Sequence, residues 1–361
     1  MPVDLRTRKL AQLTVRYCVG MKPGEIVIIS GGSESIPFLV ELYKEIILQK
    51  GHPISRVGLP NVNDFFYKYA TKEQLERFPE EFFETVKKAQ CYIGINTDLN
   101  TRELSNVDPK KISARQKVTN PISDYIVNTR DKIRRVLVAY PSLAQAQGAG
   151  MSLTEYENFV YNACLDMNWK KFGKQLDKIK SVFEKGSSIH LIGEGVDLKF
   201  SIKGKNCVAD KGEDNMPGGE VFMAPVRDSL NGTIKFDYPR IVNGNEISGV
   251  YLRFENGKAV EIKAEKGEEF FKALLATDEN ASYVGEFGVG CNSKITRYTN
   301  DLLFDEKLMG TIHLALGMAY KENGGGNDSA IHVDIAKDMH KGKIIVDGKV
   351  IQENGKWEMR V

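Results

Sequence analysis

The sequence predicts a mixed α/β and α+β protein in two domains. The first is a doubly wound α/β N-terminal domain, residues 1–186; the second is a mainly antiparallel β C-terminal domain with inserted helices, residues 187–361. Three observations carry this. Continuous apolar runs in the first half, EIVIIS, CYIGI and VLVAY, alternate with helical segments, as strands buried on both faces of a parallel sheet do. At Gly186 the character changes, and short strand-like runs take over. Among these, Asn256-Gly257 and Asp347-Gly348 each sit between two alternating runs, the residue pairs that a type I′ hairpin turn needs. A chain of 361 residues with 42% hydrophobic content is long enough for two cores.

Residues 5–17 are amphipathic and end at Met21-Lys22-Pro23-Gly24, after which residues 25–30 form the first strand. Gly31-Gly32-Ser33-Glu34-Ser35 follows, then a helix over 36–50 with Pro37 near its first position and Gly51 at its end. A glycine-bearing loop after a first strand could hold a phosphate. GGSES is not GxGxxG, however, and no ribose-binding acid stands about twenty residues on, so a tight turn with serine caps is expected. Strands at 54–59, 91–95 and 136–140 and a helical segment over 72–89 continue the alternation. Ser152 and Glu155 have capping-box spacing at the head of a helical region over 151–185, whose Lys170, Lys171, Lys174 and Lys178 make a solvated face. Beyond it, strands are expected at 188–192, 198–202, 250–254, 259–264, 344–346 and 349–352, with helices inserted at 267–276 and 307–320.

Fifty basic against 48 acidic residues leave a net charge of +2, so no basic surplus argues for nucleic acid or an anionic membrane. Residues 1–20 mix Arg6, Arg8, Lys9 and Arg16 with short apolar groups; no signal peptide or membrane span is expected, and a cytoplasmic location follows. Cys18, Cys91, Cys164, Cys207 and Cys291 are widely spaced and lack any CxxC, which fits reduced thiols.

The residues that carry chemistry gather in the second half. The stretch 311–334, TIHLALGMAYKENGGGNDSAIHVD, contains His313, Tyr320, His332 and Asp334. On the expected helix over 307–320, His313 and Tyr320 are seven residues apart and share a face; the glycine run at 324–326 ends it. On the strand that follows, His332 and Asp334 share one side. Glu220 enters a strand directly from Asn215-Met216-Pro217-Gly218-Gly219, and Glu286 lies in YVGEFGVG, where an unpaired charge would be costly to bury. Singly, each has an ordinary structural explanation: a core histidine, an HxD ion pair. Together, two imidazoles and three carboxylates suit one or two divalent ions such as Zn²⁺, Co²⁺ or Mn²⁺. His52, His190 and His340 have no acidic partner at a meaningful spacing and are set aside.

The succession NMPGGEVFMAP, YVGEFGVG, LLFDEKLMGTIHLALGMAY and SAIHVD, with PSLAQAQGAGMSLTEYENFVYNACLDMNW in the first half, resembles the aminopeptidase T and aminopeptidase S type metallopeptidases over nearly the whole chain. The resemblance implies a two-domain cytoplasmic homodimer that removes residues from peptides with a free N-terminus, using two divalent ions, zinc, cobalt or manganese, in the second domain. It implies Glu220, Glu286, His313, His332 and Asp334 as metal ligands, Glu306 as a further ligand, and Tyr320 as the tyrosine of the active centre. Glu306 and His313 are seven positions apart, more than in some members, and the structural reading of Glu306 is an acid beside a helix dipole. Two ions can share a water and polarise a carbonyl; Glu286 or Asp334 would bridge them, and Glu220 or Glu286 would accept the proton.

A second reading takes His313, His332 and Asp334 as a two-histidine, one-carboxylate triad for Fe(II) in a ring-opening dioxygenase; a third is a non-catalytic metal-binding protein. A mononuclear site has no need of Glu220 and Glu286, whose presence favours two metals.

Overall fold

A computed structural model of the chain describes residues 4–242 and 244–359. It divides into two compact units, Met1–Met167 with Gly212–Gly218, and Asn168–Lys211 with Gly219–Val361.

The first unit is built on a parallel sheet. Strands β1 (Ile26–Gly32), β2 (His52–Gly58), β3 (Cys91–Asn96) and β4 (Arg134–Ala139) lie in the order β2-β1-β3-β4, and a short strand, Asn215–Met216, joins parallel to β4. Val27, Ile28, Ile29, Ile93, Val136 and Val138 are buried, as continuous apolar runs require. The segment over 72–89 forms two helices, Lys72–Glu76 and Glu80–Lys88, because Pro79 interrupts it. The Ser152–Glu155 capping box opens the helix Leu153–Leu165. At GGSES the expected serine cap is absent: Ser35 Oγ instead donates to the Gly32 carbonyl at 2.6 Å, and a 3₁₀ turn over Ser33–Ser35 leads into the next helix.

The second unit packs two antiparallel sheets and the helix Trp169–Lys185 around one core. The larger sheet has eight strands. Its hairpins turn at Asn256-Gly257 (φ 48° and 83°) and Asp347-Gly348 (φ 48° and 80°), positive at both central residues as type I′ turns are.

The smaller sheet contains β5 (Cys207–Asp210), β6 (Glu220–Met223), β7 (Val284–Gly290), β8 (Thr311–Gly317) and β9 (His332–Asp338), in the order β9-β8-β7-β6-β5. All neighbours run antiparallel, so residues directly opposite share a face. One face carries Val221, Met223, Val284, Phe287, Val289, Ile312, Leu314, Leu316, Val333 and Ile335 into the core, where the Phe287 ring lies 5.2 Å from that of Phe200. Burying one such side chain contributes about 1.5–3 kcal/mol, which fixes the register of all five strands. The register of β7 changes between Val284 and Glu286, so that both face their proper sides.

The expected helix over 307–320 does not form. TIHLALG also alternates: Ile312, Leu314 and Leu316 enter the core, while His313, Ala315 and Gly317 take the opposite face. Gly310 (φ 87°) and Gly317 (φ 100°) bound this strand. The expected helix over 267–276 is present as Glu268–Leu275.

Candidate metal centre

The second face of the smaller sheet gathers the polar residues. Glu286 on β7 and Asp334 on β9 both lie opposite Ala315 of the central strand β8. One pleat along, His313 lies between Gly288 and Ala336, and Glu220 on β6 faces Gly290. Small residues beside the imidazole let it lie over the sheet toward the carboxylates. A β-carbon on Gly288 would stand 2.1 Å from His313 Nε2.

Glu286, His313 and Asp334 each offer a ligand atom, and the three lie within 4.8 Å of one another. His313 Nε2 is 3.3 Å from Glu286 Oε1 and 3.5 Å from Glu220 Oε2. On β9, His332 Nε2 is 3.5 Å from Asp334 Oδ2. The other ring nitrogen of His332 donates to the Met318 carbonyl at 2.8 Å, which leaves Nε2 as the basic nitrogen toward the site. Tyr320 follows β8, and its ring centroid is 4.9 Å from that of His332. It reaches the site from the loop and not from a helix shared with His313. Glu306 follows the short helix Leu302–Asp305 and pairs with Lys307 at 3.0 Å.

Two further side chains belong to this neighbourhood. Lys307 is fully buried and also pairs with Glu220 at 2.9 Å; Asn323, buried as well, donates to Glu286 Oε2 at 3.5 Å. A lysine beside Glu306 within the apolar LLFDEKLMG was the available signal for the first; nothing in the local sequence distinguishes Asn323. His190 and His340 do have acidic partners, Asp197 at 2.7 Å and Asp338 at 2.6 Å, but across a strand pair and within a turn, away from any third ligand among the described residues.

The electrostatics are those of crowded, buried carboxylates. Burial pushes the Glu286 carboxyl above its ordinary value and that of Glu306 to about 8. Burial works against charge on the imidazoles too, but the surrounding carboxylates prevail and raise His313 to about 9 and His332 to about 10. Asp334 is held below the usual range because the neighbouring His332 outweighs its burial. Burial and the carboxylates keep the Tyr320 phenol protonated far above neutrality, so it is a hydrogen-bond donor. Glu220 Oε2 and Asp334 Oδ1 are buried without a hydrogen-bond partner. An unsatisfied Glu220 oxygen facing His313 Nε2 and an unsatisfied oxygen of Asp334, in a cluster that otherwise retains protons, fit a divalent cation.

The chain matches the thermophilic metalloprotease (M29) family over residues 3–357. It belongs to this family. Aminopeptidase AmpS of Bacillus subtilis (strain 168) is 29% identical, with 96% of this chain and 97% of the relative covered. Aminopeptidase T of Thermus thermophilus is 26% identical, with 97% of each covered. Among solved structures, wild-type AmpT from Thermus thermophilus superposes with a TM-score of 0.88 over 99% of this chain and all of that one, at 24% identity. A 2,5-dihydroxypyridine dioxygenase from Pseudomonas putida KT2440 shares the fold at 0.66 over 99% of each chain, at 13% identity. M29 membership makes the chain a metal-dependent peptidase. No helix among the described residues is long and apolar enough to cross a membrane.

Proposed function

We propose that the chain is a metalloaminopeptidase that hydrolyses the first peptide bond of peptides with a free N-terminus, at a centre with two positions for divalent ions. The observation that carries this is the common sheet face on which Glu220, Glu286, His313 and Asp334, all buried, converge with the half-buried His332, in a member of a metallopeptidase family. Glu286, His313 and Asp334, with His332 beside them, would hold one ion; Glu220 and Glu306 would complete the second position. Zinc, cobalt and manganese suit this nitrogen and oxygen set. Such ions supply Lewis acidity for the scissile carbonyl and lower the pKa of a bound water.

The protein's own groups do the rest. Glu220 or Glu286, whichever keeps an oxygen free of the ions, would accept the water's proton, and Asn323 steadies Glu286 through Oε2. Tyr320 donates from the His332 side to the oxyanion that develops on the scissile carbonyl. Preference for free N-termini would come from contact of the substrate's α-amine with a carboxylate or an ion of the centre and from a closed end to the cleft. Glu220 and Glu286 favour this reading over a mononuclear Fe(II) oxygenase, which does not require them. The family resemblance adds a cytoplasmic location and a homodimer, the latter tested by sedimentation.

The test is a pair of peptides identical but for N-terminal acetylation. The free peptide should lose its first residue, and chelator should stop the reaction; equal cleavage of both peptides, or cleavage indifferent to chelator, would contradict the proposal.

A further inference from the structure

Lys307 has no solvent exposure, and its ammonium lies 2.9 Å from Glu220 Oε1 and 3.0 Å from Glu306 Oε2. The backbone fixes it there. Its N–H donates to the Phe304 carbonyl at 2.9 Å, and its own carbonyl accepts from Asn292 N–H at 2.9 Å. Gly290 makes room for the crossing: a β-carbon at that position would stand 2.0 Å from the Leu308 carbonyl oxygen. The main chain at 307–308 therefore passes over the end of β7 because residue 290 has no side chain. A buried ammonium is tolerated only when paired, and the buried Glu220 and half-buried Glu306 that meet at it equally need a cation. Each solves the other's problem.

The pairing divides Glu220. Oε1 belongs to Lys307, whereas Oε2 has no hydrogen-bond partner and lies 3.5 Å from His313 Nε2, toward the Glu286–His313–Asp334 cluster. Glu306, by contrast, is turned to the lysine.

We propose that Lys307 is a built-in counter-cation for the Glu220–Glu306 pair, so that the chain binds one divalent ion tightly among Glu286, His313 and Asp334, and a second only by displacing the lysine. This rests on the metal-dependent reading above and makes the two positions unequal. The lysine and the second ion are competitors for the same glutamates, linked by an ordinary negative coupling.

The experiment is equilibrium dialysis of chelator-stripped full-length protein against Co²⁺ alone, with ions per chain counted by elemental analysis. Wild-type protein should take up one ion tightly and a second about 5–150-fold more weakly, the range of typical coupling between sites. Lys307→Met should tighten the second step by a comparable factor and leave the first in place. Two equivalent tight ions in the wild type overturn the role of Lys307 while leaving the metallopeptidase reading intact, and so does a Lys307→Met protein with an unchanged second step. Should that variant not fold, the wild-type count alone decides between unequal and equivalent positions. Absence of any tightly bound ion overturns the metal-dependent reading and this inference together.

Discussion

Gly288 lies directly opposite His313, and the imidazole occupies the space that a side chain at residue 288 would fill: a β-carbon there would stand 2.1 Å from Nε2. The glycine is therefore part of the ligand's geometry, although it contributes no polar atom. Gly288→Ala should push the ring off its position, at an overpacking cost of about 1–3 kcal/mol. If that cost falls on the metal-binding conformation, the tight ion is held about 5–150-fold more weakly. Ion titration checks this, with circular dichroism to confirm that the sheet survives. Undiminished affinity in a folded Gly288→Ala protein would mean that His313 is not a ligand.

Tyr320 and His313 should separate by phenotype. Tyr320→Phe keeps the ring beside His332 and removes one donor, so turnover should fall about 10²–10³-fold while metal content stays the same. His313→Ala should lower metal occupancy first and activity in consequence. Near-normal turnover in Tyr320→Phe would return this residue to a packing role.

Protons and metal should exchange at the centre. In the metal-free protein His313 and His332 have pKa values raised from 6.5 to about 9 and about 10. A raised folded-state value contributes stability that is complete below the unfolded-state value and is lost as pH rises through the folded one. Melting temperature in chelator should therefore fall between pH 7 and pH 10 beyond any fall in the metal-loaded protein. Addition of metal at pH 7 in weak buffer should release protons, since the ligands must give them up. Identical pH profiles with and without metal would contradict this.

The thiols should be inert in the folded state. All five cysteines are buried and outside any disulfide; burial raises the Cys91 thiol to about 11 and that of Cys207 to about 12. A thiol reagent at pH 8 should label them only after denaturant is added, and rapid labelling of the native protein would refute their burial.

Much of this was legible in the sequence, for reasons particular to the elements concerned. Short apolar runs rich in β-branched residues, such as EIVIIS, read as strands buried on both faces, and the Asn-Gly and Asp-Gly pairs marked their hairpins through the positive φ they tolerate. The ligand candidates were visible as charged and imidazole groups in apolar surroundings, and HxD on a strand correctly implied a shared face. The segment around His313 reads as a helix in sequence because leucine and alanine suit helices as well as strands. The decisive facts, glycines at 310 and 317 and partners on both sides, are tertiary as much as local. Tyr320 thus reaches the centre by a route the helix argument did not describe. Lys307 escaped because a lysine after two acids ordinarily lies in solvent, and only the approach of residues 307–308 over Gly290 turns it inward. Asn323 depends on a loop whose path no periodicity reveals.

The central claim is that the chain holds its ion on the sheet face of β7, β8 and β9. Crystals of the protein loaded with Zn²⁺, measured on both sides of the zinc absorption edge, test it most directly. An anomalous peak of full occupancy enclosed by Glu286, His313 and Asp334 is the predicted result; a stoichiometric zinc bound only elsewhere, with those three side chains unliganded, would contradict it.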